Sequence, residues 1–437
     1  MAMMATNKTV KFLIDQQDWE NFVSACDSRG TYPSEVLREL CSKYAKRKRK
    51  SKVNGLDTAD SLYPAYNLDL FMNPKKTKKI RTQSLGELYA GPGGIGLGAA
   101  LARLETPENL WITEPSWMND YCSDTCDSWE KNVLGYERKY KNFKGSVEIL
   151  KGDVREIDIE KLPDIDGLMF GFPCNDFSIV GEKKGFDGNF GPLYSYGVKV
   201  LRKKNQPAWF LAENVGGITS SNEGKAFEKI LSDLEESGYR ITAHKYKLEE
   251  YSIPQARHRI MIVGFRNDLN LSFKVPAPHT EVVTAGDALS LPIPPGTKNV
   301  ELTKQSSTVV ERLSYIDPGE NCWNAKRLPD RLQLNVPRTR LSHIYKKIDP
   351  NKPSYTVTGS GGGGTHMYHW AENRALTNRE RARLQTFPDW FEFCGSKESV
   401  RKQIGMAIPV LAGKEIIEAI LKTLANEPYD YIDSNIN

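Results

Sequence analysis

The spacing of apolar positions changes several times along the chain, and each change predicts a different kind of structure. Lys8 to Asp15 alternates, with Val10, Phe12 and Ile14 on one face and Thr9, Lys11 and Leu13 on the other. That is the period of a half-buried strand. Asp15 can cap a helix that starts near Gln16 and runs through Trp19, Phe22, Val23 and Cys26 to Gly30. A second helix is predicted after Pro33, capped by Ser34, with Val36, Leu37, Leu40 and Tyr44 on one stripe. This unit, residues 8–46, is too small to bury its own apolar surface. Residues 47–82 read as a basic linker.

From Ser84 to about Asn267, short apolar runs alternate with amphipathic stretches. The runs are Leu85–Ala90, Asn109–Thr113, Ile165–Phe170, Ala208–Leu211 and Arg259–Phe265. Such alternation predicts an α/β domain, residues 83–266, on a mostly parallel sheet. Residues 267–370 break the pattern. They are rich in Pro, Gly, Thr and Ser, including the run Gly359 to Gly364, and predict a smaller irregular domain. Helical spacing returns at Asn378–Gln385 and Ile404–Leu424, so 371–425 is expected to rejoin the α/β domain.

Composition narrows the class. The 437 residues are 39% hydrophobic and 26% charged, as in ordinary globular proteins. No apolar run reaches the length of a membrane span. The net charge is only +5, but it is unevenly placed. The first 80 residues hold 15 of the 60 Lys and Arg and 9 of the 55 Asp and Glu, so the remainder is almost balanced. Much of the excess is the run Lys46 to Lys50, with a second cluster at Lys75 to Lys79. Basic clusters of this size suit a polyanion such as DNA. Seven cysteines at irregular spacing suggest a reducing compartment, the cytoplasm, and no disulfide framework.

Four segments carry chemistry. Leu88 to Gly96 is an apolar strand that runs into a glycine-rich turn and a helix, where backbone can approach a ligand closely. It has neither the spacing of a dinucleotide site nor the Gly-Lys-Ser/Thr of an ATPase. Pro173-Cys174 follows the strand-like run Gly167 to Phe170. Glu213-Asn214-Val215 ends another. In Gln255 to Arg259, Arg257 and Arg259 stand at i and i+2, on one side of an extended segment. Each segment alone is ambiguous: a buried thiol, a helix cap and surface arginines are all common.

Taken in order, these segments resemble the motifs of the DNA cytosine-5 methyltransferases. Two later ones extend the match: Arg374 through Gln385, with Leu376, Thr377, Arg379 and Glu380, and Gln403 with Gly405. The resemblance covers about 84–425. It implies a Rossmann-like methyltransferase domain with S-adenosylmethionine as cofactor, and a target recognition domain at 267–370. By the same resemblance, Tyr89, Ala90, Gly91, Pro92, Gly93 and Gly94 form the cofactor turn. Asp120 binds the ribose hydroxyls, Tyr121 packs on adenine, and Asp153 with Val154 meets the adenine edge. Pro173, Leu193, Met406 and Ala407 complete the pocket. Met406 stands where the family usually has asparagine, and Asn175 where it often has glutamine. Cys122 and Cys126 have no second Cys/His pair nearby and read as packing residues, with no metal site implied.

The resemblance also implies a mechanism. Cys174 adds to C6 of a cytosine flipped out of double-stranded DNA, and Glu213 protonates N3. Arg257 binds O2, Arg259 supports the same region, and Thr356 contacts a phosphate. Residues 8–46 resemble a ribbon-helix-helix domain. That implies a homodimer through this unit, DNA contacts by Thr9 and Lys11, and operator binding. A restriction–modification role would bring a cognate endonuclease acting on the same site. Two other readings stay open here: a repressor on an inactive scaffold, and a tRNA cytosine methyltransferase.

Overall fold

The computed structural model describes residues 78–172, 193–334 and 343–436, apart from the side chains at 220–223 and 363. Thr9, Lys11, the rest of the N-terminal unit, Pro173 and Cys174 lie outside the described residues.

The first strand, β1, is Lys79–Leu88, and it begins inside the segment read as linker. Its first residues are exposed and its last four buried, as expected of a strand that enters a core from its edge. Helix α1 (Gly94–Leu101) follows, then β2 (Arg103–Glu105) and the long β3 (Asn109–Asp120). Helix α2 (Ser123–Trp129) continues through a π-helical stretch, Glu130–Leu134, into α3 (Gly135–Tyr140). Next come β4 (Glu148–Lys151), β5 (Gly167–Gly171), α4 (Tyr194–Leu201), β6 (Trp209–Val215), α5 (Lys225–Glu235) and β7 (Tyr239–Lys247). Short β8 (Gln255–Ala256) precedes β9 (His258–Arg266).

These strands, β8 excepted, make one sheet of order β2-β3-β1-β5-β6-β9-β7, with β4 also on β3. The pairs β3/β4, β1/β3, β1/β5 and β5/β6 are parallel, whereas β2/β3, β6/β9 and β7/β9 are antiparallel. The sheet is therefore mixed but mostly parallel at its centre, in agreement with the expected α/β class.

Alternation in the central strands divides the core. Leu88, Leu168, Phe170, Phe210 and Ala212 point to one face, with Val198 and Leu201 of α4 and Phe227, Ile230 and Leu234 of α5. Leu85, Met169, Trp209 and Leu211 point to the other. That face is covered by Ile416, Ile417, Ile420 and Leu421 of the C-terminal helix described below. A central strand buried on both faces reads as a continuous apolar run, which is why these strands stand out in the sequence. Removing one such side chain, as in Ile420→Ala, costs about 2–5 kcal/mol.

Beyond β9 lie β10 (Val275–Pro276), α6 (Ala285–Leu289), α7 (Ser307–Ser314) and β11 (Ser354–Tyr355), which pairs with β8. Leu313, Ile316, Cys322, Tyr345, Tyr368 and Ala375 form a small separate core here. Helices α8 (Asn378–Leu384), α9 (Lys397–Met406) and α10 (Val410–Ala425) follow, then β12 (Tyr431–Ile432) against β10. Thr377 and Glu380 form the capping box of α8, and Arg374 binds the same Glu380 carboxylate at 2.8 Å. Three residues of the penultimate motif thus build a helix start. Cys126 packs in the core beside Trp129, Leu97 and Met118.

Candidate active site

The carboxyl ends of β1, β3, β4, β5 and β6 lie together, the usual place for ligands in a parallel sheet. At the end of β1 the chain turns through Tyr89 (φ 56°), Gly91 (φ 59°) and Gly93 (φ 100°). Glycine meets such angles without strain at 91 and 93, and Tyr89 adopts one as a non-glycine residue. Gly94 begins α1 so close to Ile408 that a Cβ would fall 2.2 Å from its carbonyl oxygen.

Backbone and side chains lock the neighbouring strand ends to this turn. Ala90 N–H donates to Asn119 O at 3.0 Å, and Gly91 N–H donates to Asp120 Oδ2 at 2.9 Å. Cys122 N–H donates to Asp120 Oδ1 at 2.9 Å, and Asn119 Nδ2 donates to the carbonyls of Leu150 and Gly152. Burial raises the Asp120 carboxyl, and the two N–H donors partly offset that. Each Asp120 oxygen keeps a free acceptor direction, as a pair of ribose hydroxyls requires. Tyr121, beside it, is 79% exposed. Asp153 accepts from Arg155 N and pairs with its guanidinium, which holds the carboxyl below its usual range. Val154 is buried in the core, and Tyr89 Oη donates to Leu193 O at 2.7 Å. Met406 is exposed at the end of α9, and Ala407 is buried.

The second half of the site is a buried charge pair. Arg259 Nε lies 3.0 Å from Glu213 Oε1, and each side chain is 13% exposed. The antiparallel register of β6 and β9 puts Val215 opposite Arg259, so the guanidinium reaches back to Glu213. Burial raises the Glu213 carboxyl, while Arg259 and then Arg257 pull it down. Asn214 Nδ2 donates to Phe172 O at 3.2 Å, directly before Pro173 and Cys174. Gly171 stands opposite Glu213 in the parallel register of β5 and β6.

Arg257 is placed otherwise than expected. It is 1% exposed, and its guanidinium donates to Val357 O (3.1 Å), Gly405 O (3.1 Å) and Met406 O (3.4 Å). Its Nη atoms are thus turned to the loop at Val357 and to α9, while its Nε is buried without a hydrogen-bond partner. The cause lies in the backbone. Arg257 falls between β8, which pairs with β11, and β9, which pairs with β6, so the two arginines do not share one strand surface. Thr356 Oγ1 donates its only hydrogen to Ala256 O at 2.7 Å, and this placement leaves no hydroxyl hydrogen for a phosphate.

Gln255 and Gln385 were noted in the sequence only as motif letters. Gln255 accepts from Val357 N and donates to Gln385 Oε1 and Leu384 O. Gln385 donates to Ile404 O and Ala407 O. With Arg257 they form a buried polar knot that joins β8, the 356–358 segment, α8 and α9. Two glutamines within apolar surroundings were the available signal, since a buried amide needs partners.

The family described as C-5 cytosine-specific DNA methylase matches residues 84–422. The chain belongs to this family. Among DNA methylases it is 52% identical over 360 residues to the Type II methyltransferase M.BbvI of Brevibacillus brevis, which covers 80% of this chain and 93% of the relative. It is 38% identical to M.NgoFVII of Neisseria gonorrhoeae over 357 residues, covering 79% and 88%. The fold matches a prophage-encoded E. coli protein, described as a DNA modification methyltransferase, with a TM-score of 0.60 at 22% identity over 78% of this chain and 99% of that one. The chain is thus a DNA (cytosine-5)-methyltransferase, and DNA is its substrate. Among the described residues, no helix is long and apolar enough to cross a membrane.

Proposed function

We propose that this methylase modifies C5 of a flipped-out cytosine within a specific duplex sequence, as the modification enzyme of a Type II restriction–modification system in the cytoplasm. The observation that carries the reading is the Glu213–Arg259 pair at the sheet's carboxyl edge, beside the strand that leads to Cys174. Cys174 thiolate adds to C6, forming the S–C6 bond, and Glu213 gives a proton to N3 as electron density moves onto the ring. Arg259 keeps Glu213 in place and supports the region where Arg257 is proposed to bind O2. C5 then has the character of an enamine carbon. S-adenosylmethionine, when bound, supplies an electrophilic methyl group on a sulfonium at that carbon. A base, for which water suffices, removes the C5 proton, the thiolate leaves C6, and the N3 proton returns to Glu213.

Tyr89, Ala90, Gly91, Pro92, Gly93 and Gly94, with Asp120, Tyr121, Asp153, Val154, Pro173, Leu193, Met406 and Ala407, are proposed to hold that donor. The left-handed turn, the two free acceptor directions on Asp120 and the exposed Tyr121 fit such a molecule. Residues 267–370 are proposed to read the target sequence, and residues 8–46, including Thr9 and Lys11, to pair two chains and bind an operator. Purified protein with labelled donor and duplex DNA should yield 5-methylcytosine as the labelled base. Label in N4-methylcytosine or N6-methyladenine, or none in DNA, would overturn the proposal.

A further inference from the structure

The turn that leads into Gln255, Arg257 and Arg259 is held from outside by a chain of three polar side chains. Ser252, which ends the 3₁₀ turn Leu248–Tyr251, has φ 57° and ψ 28°. A residue with a Cβ rarely takes this left-handed conformation, so the surroundings must impose it. Ser252 Oγ lies 2.9 Å from His279 Nδ1, and His279 Nε2 lies 3.5 Å from Glu415 Oε2. Burial raises the Glu415 carboxyl, but the bond to His279 outweighs it and holds the carboxyl below its usual range, with Lys414 and Lys422 adding to the effect. An ionised Glu415 takes the Nε2 hydrogen, and Nδ1 of the neutral ring accepts from the Ser252 hydroxyl. A protonated ring donates from Nδ1 to Ser252 Oγ, whose hydrogen then turns to Glu281 O at 3.5 Å. The chain therefore stands in both states of the imidazole.

Its two ends touch the two halves of the proposed site. Glu415 belongs to α10, which packs on α1 backbone to backbone. A Cβ at Gly98 would fall 2.6 Å from Lys414 N, and one at Gly413 would fall 3.1 Å from Ile95 Cα. Helix α1 follows the left-handed turn at Tyr89, Gly91 and Gly93 directly. At the other end, Ser252 opens the short stretch that closes at Arg259. That stretch has little freedom of its own: Ile253 and Pro254 are buried, Pro254 O accepts from Ser354 N at 2.9 Å, and Arg257 O accepts from Leu248 N at 3.1 Å. A shift at Ser252 is therefore passed on to Arg259 and its 3.0 Å contact with Glu213. The backbone already aims the imidazole, since His279 N–H donates to Glu250 O at 2.8 Å and Tyr251 Oη donates to Pro276 O at 2.9 Å.

We propose that Ser252, His279 and Glu415 are positioning residues for methyl transfer: together they fix the left-handed turn at Ser252, and through it the place of Arg259 against Glu213, relative to the helix that carries the donor turn. This rests on the DNA methyltransferase reading and adds to it three side chains that touch neither the base nor the donor.

The test combines hydrogen exchange and steady-state kinetics on full-length Ser252→Gly, Ser252→Ala and Glu415→Gln proteins. Ser252→Gly removes the hydroxyl and suits the left-handed backbone, whereas Ser252→Ala removes it and keeps the strain, so the glycine variant should melt at the higher temperature. Amide exchange over residues 253–260 should nevertheless quicken about tenfold in Ser252→Gly and in Glu415→Gln, a readout that needs no activity. The turnover number should fall about 5- to 50-fold in all three, with KM for S-adenosylmethionine within about twofold of wild type. The alkaline limb of the pH–rate profile should move to higher pH as Arg259 draws away from Glu213. A chain that only braces the fold gives another result: Ser252→Gly, relieved of strain, turns over as wild type with its alkaline limb unmoved. That outcome rejects the proposal, as does unchanged exchange over 253–260. A wild-type protein that leaves cytosine unmethylated counts instead against the underlying reading, a failure visible without any variant.

Discussion

Arg259 Nε lies 3.0 Å from Glu213 Oε1, joining the end of β6 to the start of β9 inside the sheet. The pair sets two opposed influences on one carboxyl. Burial raises it and the guanidinium lowers it, and burial prevails. A carboxyl raised in this way stays protonated to higher pH and can serve as the acid at N3. Arg259→Met removes the lowering influence. The turnover number should fall about 100-fold or more, and the alkaline limb of the pH–rate profile should move to higher pH. An alkaline limb unmoved, or moved down, would show that Arg259 does not act on Glu213.

Arg257 should behave differently from its neighbour. Its three carbonyl bonds tie β8 to the loop and to α9. Arg257→Met leaves those carbonyls buried without a donor, at a cost of about 2–4 kcal/mol. Thermal unfolding should therefore drop by several degrees, and by more than in Arg259→Met, where the raised Glu213 carboxyl can take up a proton in place of its partner. Equal shifts in the two variants would remove the distinction drawn between them.

Asp120→Asn tests the donor pocket. The asparagine cannot offer two anionic acceptors to Gly91 N–H and Cys122 N–H while receiving two hydroxyls. S-adenosylmethionine affinity should fall about 10- to 100-fold by calorimetry, with DNA binding unchanged. Unchanged donor affinity would place the ribose elsewhere.

Glu87 gives a pH dependence of stability. It lies 3% exposed in β1 and accepts from Trp129 Nε1 at 2.8 Å. Burial pushes its carboxyl from 4.5 up to about 8. The folded state therefore keeps a proton that the unfolded chain gives up near 4.5. Its contribution is complete below that pH, declines through the window and is lost above about 8. Glu137, raised by burial to about 7, adds to the same decline. Glu87→Gln should flatten the fall of melting temperature between pH 5 and pH 8 (about the window set by the two carboxyls). A slope as steep as wild type would mean that Glu87 is ionised in the fold.

The sequence disclosed the central strands because burial on both faces makes them continuous apolar runs, as in Leu168-Met169-Phe170 and Trp209 to Ala212. It also disclosed the acid at the end of β6, Glu213, since a lone carboxylate after an apolar run is conspicuous, whereas Asp120, after the mixed run Asn109 to Asn119, was marked only by the family resemblance. It did not disclose that β9 lies between β6 and β7, because strand order in a sheet is set by tertiary packing and not by order in the chain. Nor did it separate Arg257 from Arg259, since spacing of i and i+2 predicts a common face only if the strand is continuous. Here it breaks between Ala256 and His258. The anchoring of Phe172 O by Asn214 was equally hidden, as it joins residues 42 apart in sequence.

The central claim is that the thiol at position 174 joins the target base during turnover. The direct measurement is mass spectrometry of the protein after incubation with S-adenosylmethionine and a cognate duplex carrying 5-fluorocytosine at the methylated position, where the missing C5 proton blocks elimination. A stable protein–DNA adduct mapped to the peptide containing Cys174, and absent from Cys174→Ala, is the predicted result. An adduct mapped to another residue, or methylation by Cys174→Ala at the wild-type rate, would contradict it.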